Sequence, residues 1–113
     1  MISDIEKAVC LKFKLEKLDL RNHSRRWDVA RPRQVAMYLC RQLTNASYPK
    51  IGRHFGGRHH TTIIHGERRI KEFLRTTNTM ACEVEGVREI LQQLPTEKGR
   101  AREHAAQPMV VRA

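Results

Sequence analysis

Little in this sequence suits a β-sheet protein, a secreted scaffold or a membrane span. Aromatic residues make up 5% of 113 positions and glycines number six, whereas a sandwich or barrel needs many aromatic and β-branched residues with closely spaced turns. The three cysteines, Cys10, Cys40 and Cys82, stand far apart. None forms a CxxC pair and the odd count cannot close a disulfide framework, which fits a reducing cytoplasm. No apolar run approaches about 18 residues, the length a membrane-spanning helix needs. The opening MISDIEKAV carries acids where a signal peptide needs a basic stretch, so the chain is expected to be soluble and unexported. A phosphate loop of the form GxxxxGK[ST] is missing too.

What is present is positive charge, and it is concentrated. The formal net charge is +10; residues 21–75 hold 13 Lys+Arg against only Asp28, Glu67 and Glu72, while the rest of the chain holds nine charges of each sign. A polyanion is attracted to such a stretch because neutralising phosphates releases condensed counterions. Charge alone does not separate nucleic acid from an anionic membrane or from a merely solvated face, so the motifs must decide.

The apolar spacing predicts helices throughout. Ile2, Ile5, Val9 and, less regularly, Phe13 give a first helix over 2–13, and LEKLDL (15–20) a short helical turn. RNHSRRWDVAR (21–31) loses all periodicity and reads as a basic loop, where Trp27 either stacks on a sugar or, the favoured reading, packs against the following helix. Pro32, a good first-turn residue, opens a third helix whose stripe is Val35, Ala36, Leu39 and Leu43, with Arg33 and Arg41 on its solvent side. A two-turn helix begins near Pro49, carries Ile51 and Phe55, and stops at Gly56-Gly57. A long amphipathic helix runs from His59 or His60 to about Thr77, with Arg68, Arg69 and Lys71 as solvated surface, and Val84, Val87, Leu91 and Leu94 mark a last helix over 78–94. The expected fold is all-α: one domain over residues 1–94, followed by a disordered tail over 95–113 with Gly99, Pro108 and little to pack.

A short helix, a glycine turn and a longer helix with a polar first turn make a helix-turn-helix pattern, here SYPKIGRHFGGRHHTTIIHGERRI (47–70). The second helix of such a motif enters the major groove N-terminus first, so its opening residues must offer hydrogen bonds and methyl groups rather than apolar bulk. His59, His60, Thr61 and Thr62 are such residues, and the apolar stripe resumes only at Ile63. Six histidines raise the question of a metal, but His54, His59, His60 and His65 are not spaced i, i+4 and no cysteine lies beside them. No nucleophile elbow or comparable motif anchors a catalytic set. Neither metal nor cofactor nor catalysis is expected.

ARPRQVAMYLC (30–40) and LTNASYPKIGRHFGGRHHTTIIH (43–65) resemble the C-terminal domain of DnaA, the bacterial replication initiator. The resemblance covers residues 2–94 and is strongest at IGxxFGGRxHTT. It implies a Trp-repressor-like helix-turn-helix that recognises the DnaA box, a short asymmetric duplex site, as a monomer on DNA and without the ATPase domain that usually precedes it. Carried over by position, Arg25 is the candidate for the minor groove, where narrow A/T-rich stretches concentrate negative potential. His60 and Thr61 fall where the family meets base edges, and Thr62, Arg31, Arg33, Gln34, Arg41, Ser47, Lys50 and Arg58 where it makes backbone or positioning contacts.

Two departures from the family bear on specificity. His59 replaces a common Asp, which removes an acceptor suited to cytosine and a favourable helix cap. Trp27 and Asp28 stand where basic or small polar residues are usual. A modified or relaxed box is therefore expected. The resemblance implies binding to double-stranded DNA in the cytoplasm, at the nucleoid, with no small-molecule substrate, in the initiation or regulation of replication; occupancy of boxes without origin melting is the expected limit. The other function class is a transcriptional regulator using the same fold on an unrelated operator, which a palindromic site and a stable dimer would mark. A basic patch on a membrane or a partner is the third, marked by binding that ignores duplex sequence.

Overall fold

The computed structural model describes residues 2–22 and 26–94, and among these every element is helical. Six helices follow in order: α1 (Ile2–Phe13), α2 (Lys17–Arg21), α3 (Trp27–Leu43), α4 (Tyr48–His54), α5 (His60–Thr76) and α6 (Asn78–Gln93). The expected tail over 95–113 and the minor-groove candidate Arg25 lie outside the described residues.

α3 is the central helix, touching α1, α2, α4 and α5, while α6 closes the other side against α1 and α5. Its inward stripe of Val35, Ala36, Leu39 and Cys40 is fully buried and meets Ile5 and Val9 of α1, Ile51 of α4, and Ile63 and Ile70 of α5 in one continuous core. Burying each such Val, Leu or Ile contributes about 1.5–3 kcal/mol, so an apolar seam of this extent is what holds short helices that would not persist alone.

α3 begins at Trp27, not at Pro32 as the sequence spacing predicts. Pro32 is therefore inside the helix, where its missing N–H leaves the Asp28 carbonyl without its usual i+4 partner. Tertiary contacts hold the extra turn: Val29 is buried, the N–H groups of Val29 and Ala30 donate to the Arg26 carbonyl at 3.0 and 2.7 Å, and the Arg31 guanidinium lies 4.2 Å over the Phe73 ring of α5. The same shift moves Trp27. Instead of packing against the following helix it is that helix's first residue, and it is 76% exposed.

A polar clamp accompanies the apolar seam. Glu67 of α5 is buried and accepts from the Tyr48 hydroxyl of α4 at 2.7 Å and from Gln42 of α3 at 3.4 Å, with Lys71 at 3.5 Å. A buried carboxylate is tolerable only when its oxygens are satisfied in this way. Three helices thus share one charge, which fixes the angle at which α4 and α5 leave the core.

Candidate nucleic-acid interface

The α4–α5 turn is built by backbone contacts that only glycine permits. Arg58 donates its N–H to the Gly52 carbonyl at 2.9 Å, and a Cβ on Gly52 would stand 2.1 Å from the Arg58 carbonyl oxygen. Gly56 adopts a left-handed φ of +80°, and a Cβ there would stand 2.2 Å from the carbonyl oxygen of Arg21 at the end of α2. Phe55, between them, is fully buried and pins the turn to the core.

α2 and its C-cap residue, Asn22, are fastened to this turn by arginine side chains. Arg58 donates to the carbonyls of Phe55 and Asn22, with that of Arg21 at 3.5 Å. Arg33 donates to the carbonyls of Leu20 (3.3 Å) and Asp19 (3.1 Å) and to the Asn22 amide oxygen (3.3 Å). Arg21 reaches the His54 carbonyl at 3.1 Å and pairs with the buried Glu6 of α1 at 2.9 Å. The last carbonyls of a helix have no partner within it and carry the negative end of its dipole, so guanidinium groups are well matched to them. Burial pushes the Arg33 and Arg58 guanidiniums below their ordinary value; at Arg33 the nearby Arg58 adds to the effect and Asp19 opposes it.

These contacts correct the sequence reading. Arg33, expected on the solvent side of the third helix, is 6% exposed, and its donors are spent on α2. Its alternation with Pro32 and Val29 extends the buried stripe of α3 backwards by one turn. Arg58 is half-buried and turned into the motif. Arg21, which falls in the loop expected over 21–31, is the third member of this clamp, and no periodicity in the sequence marks it.

The other named positions form the outer rim. His59, His60, Thr61 and Thr62 are all exposed, and the next residue, Ile63, is fully buried. The first turn of α5 holds no acid, so the positive end of its dipole is uncompensated. His59 does cap the helix, contrary to expectation: its Nδ1 accepts from the Thr61 N–H at 3.3 Å and lies 2.9 Å from the Thr61 hydroxyl. Its ring touches that of His60, with centroids 4.2 Å apart. On α4, Ser47 caps the helix by accepting from the Lys50 N–H at 3.2 Å, and both residues are exposed. Arg41 lies 4.2 Å over the Tyr48 ring and donates to the Ala46 carbonyl at 3.0 Å, half-buried beside them. Arg31 donates to the Gln34 side chain at 2.9 Å, with burial and the nearby Arg69 lowering its guanidinium while Glu83 opposes.

The described residues contain no group of three or more His, Cys, Asp or Glu able to hold a metal, and no helix long and apolar enough to cross a membrane. Burial, with help from Glu6, pushes the Cys40 thiol up to about 12, and burial followed by Glu6 raises Cys10, so both are held as thiols rather than nucleophilic thiolates.

Comparison with known proteins places this geometry. Residues 2–70 match the family described as bacterial dnaA protein helix-turn-helix. The chromosomal replication initiator protein DnaA of Sphingopyxis alaskensis is 43% identical over 90 residues, which is 80% of this chain and 20% of that protein. Those of Cereibacter sphaeroides and Ruegeria pomeroyi are each 45% identical over 91 residues, again 80% of this chain and 20% and 19% of theirs. The chain thus spans about a fifth of the length of these relatives.

Proposed function

Because the chain belongs to the bacterial DnaA helix-turn-helix family, we propose that it binds double-stranded DNA sequence-specifically, at sites resembling the DnaA box, in the initiation or regulation of replication. The observation that carries this reading is the step from four exposed, hydrogen-bonding residues, His59 to Thr62, to a fully buried Ile63 within one turn of α5. A helix inserted end-on into a major groove needs such a first turn, because base edges offer donors, acceptors and thymine methyls but no apolar pocket.

The contacts divide by chemistry. His60 and Thr61 meet base edges, His59 and Thr62 flank them, and Arg25 reaches into the adjoining minor groove. Ser47 and Lys50 on α4, with Arg31, Gln34 and Arg41 of α3, meet phosphates and set the register without reading sequence. Arg33 and Arg58 act one step back, holding the basic loop and the turn in the arrangement those contacts require. Binding alone is the role assigned, exerted at the nucleoid, and it requires neither metal nor nucleotide.

A gel-shift titration against duplexes carrying a DnaA box, a box mutated in its central positions and a random sequence, at two salt concentrations, tests the reading. The box should be preferred by 10³-fold or more, a gap on the order of that between specific and non-specific sites generally, with all three weakening as salt rises. Equal affinity for all three duplexes would refute sequence-specific binding and leave only attraction to a polyanion.

A further inference from the structure

We propose that His59 determines specificity by presenting the duplex with a hydrogen-bond donor, fixed by its own capping bond, and so selects guanine at the base it faces. The inference rests on the DNA-binding role proposed above and adds a base to it.

The argument starts from the ring's one committed nitrogen. A neutral imidazole has a single proton to place on two nitrogens, and the bond made by one decides the state of the other. Nδ1 of His59 stands 3.3 Å from the Thr61 backbone nitrogen and 2.9 Å from the Thr61 hydroxyl oxygen. The backbone N–H cannot turn away, so a proton on Nδ1 would face another proton. The hydroxyl can rotate to donate to Nδ1 or to accept from it, and it therefore imposes nothing. Nδ1 is the acceptor, and the imidazole proton sits on Nε2.

Two consequences follow at the exposed edge. The His59 ring has no further hydrogen-bond partner among the described residues, and contact with the His60 ring at 4.2 Å, tilted by 34°, restricts its rotation. Nε2–H is thus a lone donor held at the leading end of α5. In the major groove guanine offers two adjacent acceptors, N7 and O6, and no donor. Adenine sets an amino group beside its single acceptor, and cytosine offers only an amino donor. Thymine offers one acceptor, O4, crowded by its methyl, so a lone donor ranks guanine first and cytosine last. The Thr61 hydroxyl, engaged with Nδ1, leaves the γ-methyl as that residue's free group, which suits a thymine methyl.

The test is selection from randomised duplexes at pH 8 with the full chain and with His59→Asp, which retains a side-chain acceptor for the Thr61 N–H but replaces the outward donor with an acceptor. The unaltered protein should enrich guanine at one position and lose about tenfold in affinity when that guanine becomes cytosine. His59→Asp should invert the preference at that position alone. Nitrogen-15 spectra of the unaltered protein should place the His59 proton on Nε2, a readout that does not depend on the variant's folding. An enriched site that His59→Asp leaves unchanged, or a proton found on Nδ1, would overturn the role given to His59. A protein that enriches no sequence at all would instead overturn the DNA-binding reading on which it stands.

Discussion

The cations near the α2–α4 junction and the polar residues at the tip of α5 are close neighbours in the fold but differ in where their hydrogen bonds go. Arg21, Arg33 and Arg58 direct theirs inward, to the carbonyls of residues 19–22 and of the α4–α5 turn. His59, His60, Thr61 and Thr62 stand in solvent, and the side-chain hydrogen bonds among them run only between His59 and Thr61. The clamp thus carries formal charge and is committed to the protein, while the tip of α5 is formally neutral and its side chains bond only between His59 and Thr61. A surplus of arginine is not by itself a map of the DNA contacts; part of it shapes the groove-facing element and part meets the phosphates.

The largest effect expected is on the clamp's geometry. Gly52→Ala or Gly56→Ala places a methyl about 2.1–2.2 Å from a backbone carbonyl oxygen that cannot move without displacing α5 or α2. Each should cost roughly 3 kcal/mol or more, at the severe end for a point substitution, and be read as a fall in the urea midpoint. Gly57→Ala is the control. Gly57 has a φ of +76° but nothing within 4 Å of its would-be Cβ, so only the left-handed backbone is penalised, by about 1 kcal/mol. Equal losses at Gly56 and Gly57 would show that the close approach to Arg21 does not constrain the turn.

Arg33→Met should come next, because it keeps the buried stem but removes the donors to the carbonyls of Asp19 and Leu20. A loss of about 2–3 kcal/mol in unfolding free energy is expected from desolvated acceptors left without donors. DNA affinity measured well below the unfolding midpoint should also drop, since the basic loop is no longer held. A variant of unchanged stability and reduced affinity would return Arg33 to the rim as a direct phosphate contact.

The same division explains what the sequence disclosed. The six helices and the turn followed from apolar spacing and from Gly56-Gly57, because those signals are local, and the boundaries of α1, α4 and α5 agree with them to within about a residue. The start of α3 did not follow. Its first turn is held by Val29 in the core and by Arg31 over Phe73, a contact from a helix some forty residues along, and Pro32 is an ordinary helix-start signal in isolation. Counting Arg33 as a buried position would have extended the stripe through Val29, Pro32, Arg33 and Ala36, but an arginine is read as surface unless its acceptors are known. The acceptors are carbonyls, which no side-chain pattern reports. Likewise His59 reads as a lost cap from sequence because histidine is a rare N-cap; the Nδ1 bond depends on a rotamer that composition does not specify.

At the rim the expected effects are on binding and not on folding. Thr61→Ala removes the methyl and the hydroxyl together and should lose about 1–3 kcal/mol on the specific duplex, with little change on random DNA. Thr61→Val keeps a methyl in place of each and should retain most of that affinity if the residue reads a thymine methyl; a valine variant as weak as the alanine one would shift the role to the hydroxyl.

Lys50→Ala should have the smallest effect and the most diagnostic salt dependence. The lysine is exposed in the first turn of α4, where only its backbone N–H is committed, to the Ser47 cap. Its side chain makes no ion pair among the described residues, so its removal should leave the unfolding midpoint where it was. A phosphate contact contributes through counterion release irrespective of sequence, so specific and random duplexes should weaken by the same factor, and the slope of log affinity against log salt should fall by about one. A slope that stays put would take Lys50 out of the interface, and with it the orientation in which α4 lies along the backbone while α5 enters the groove.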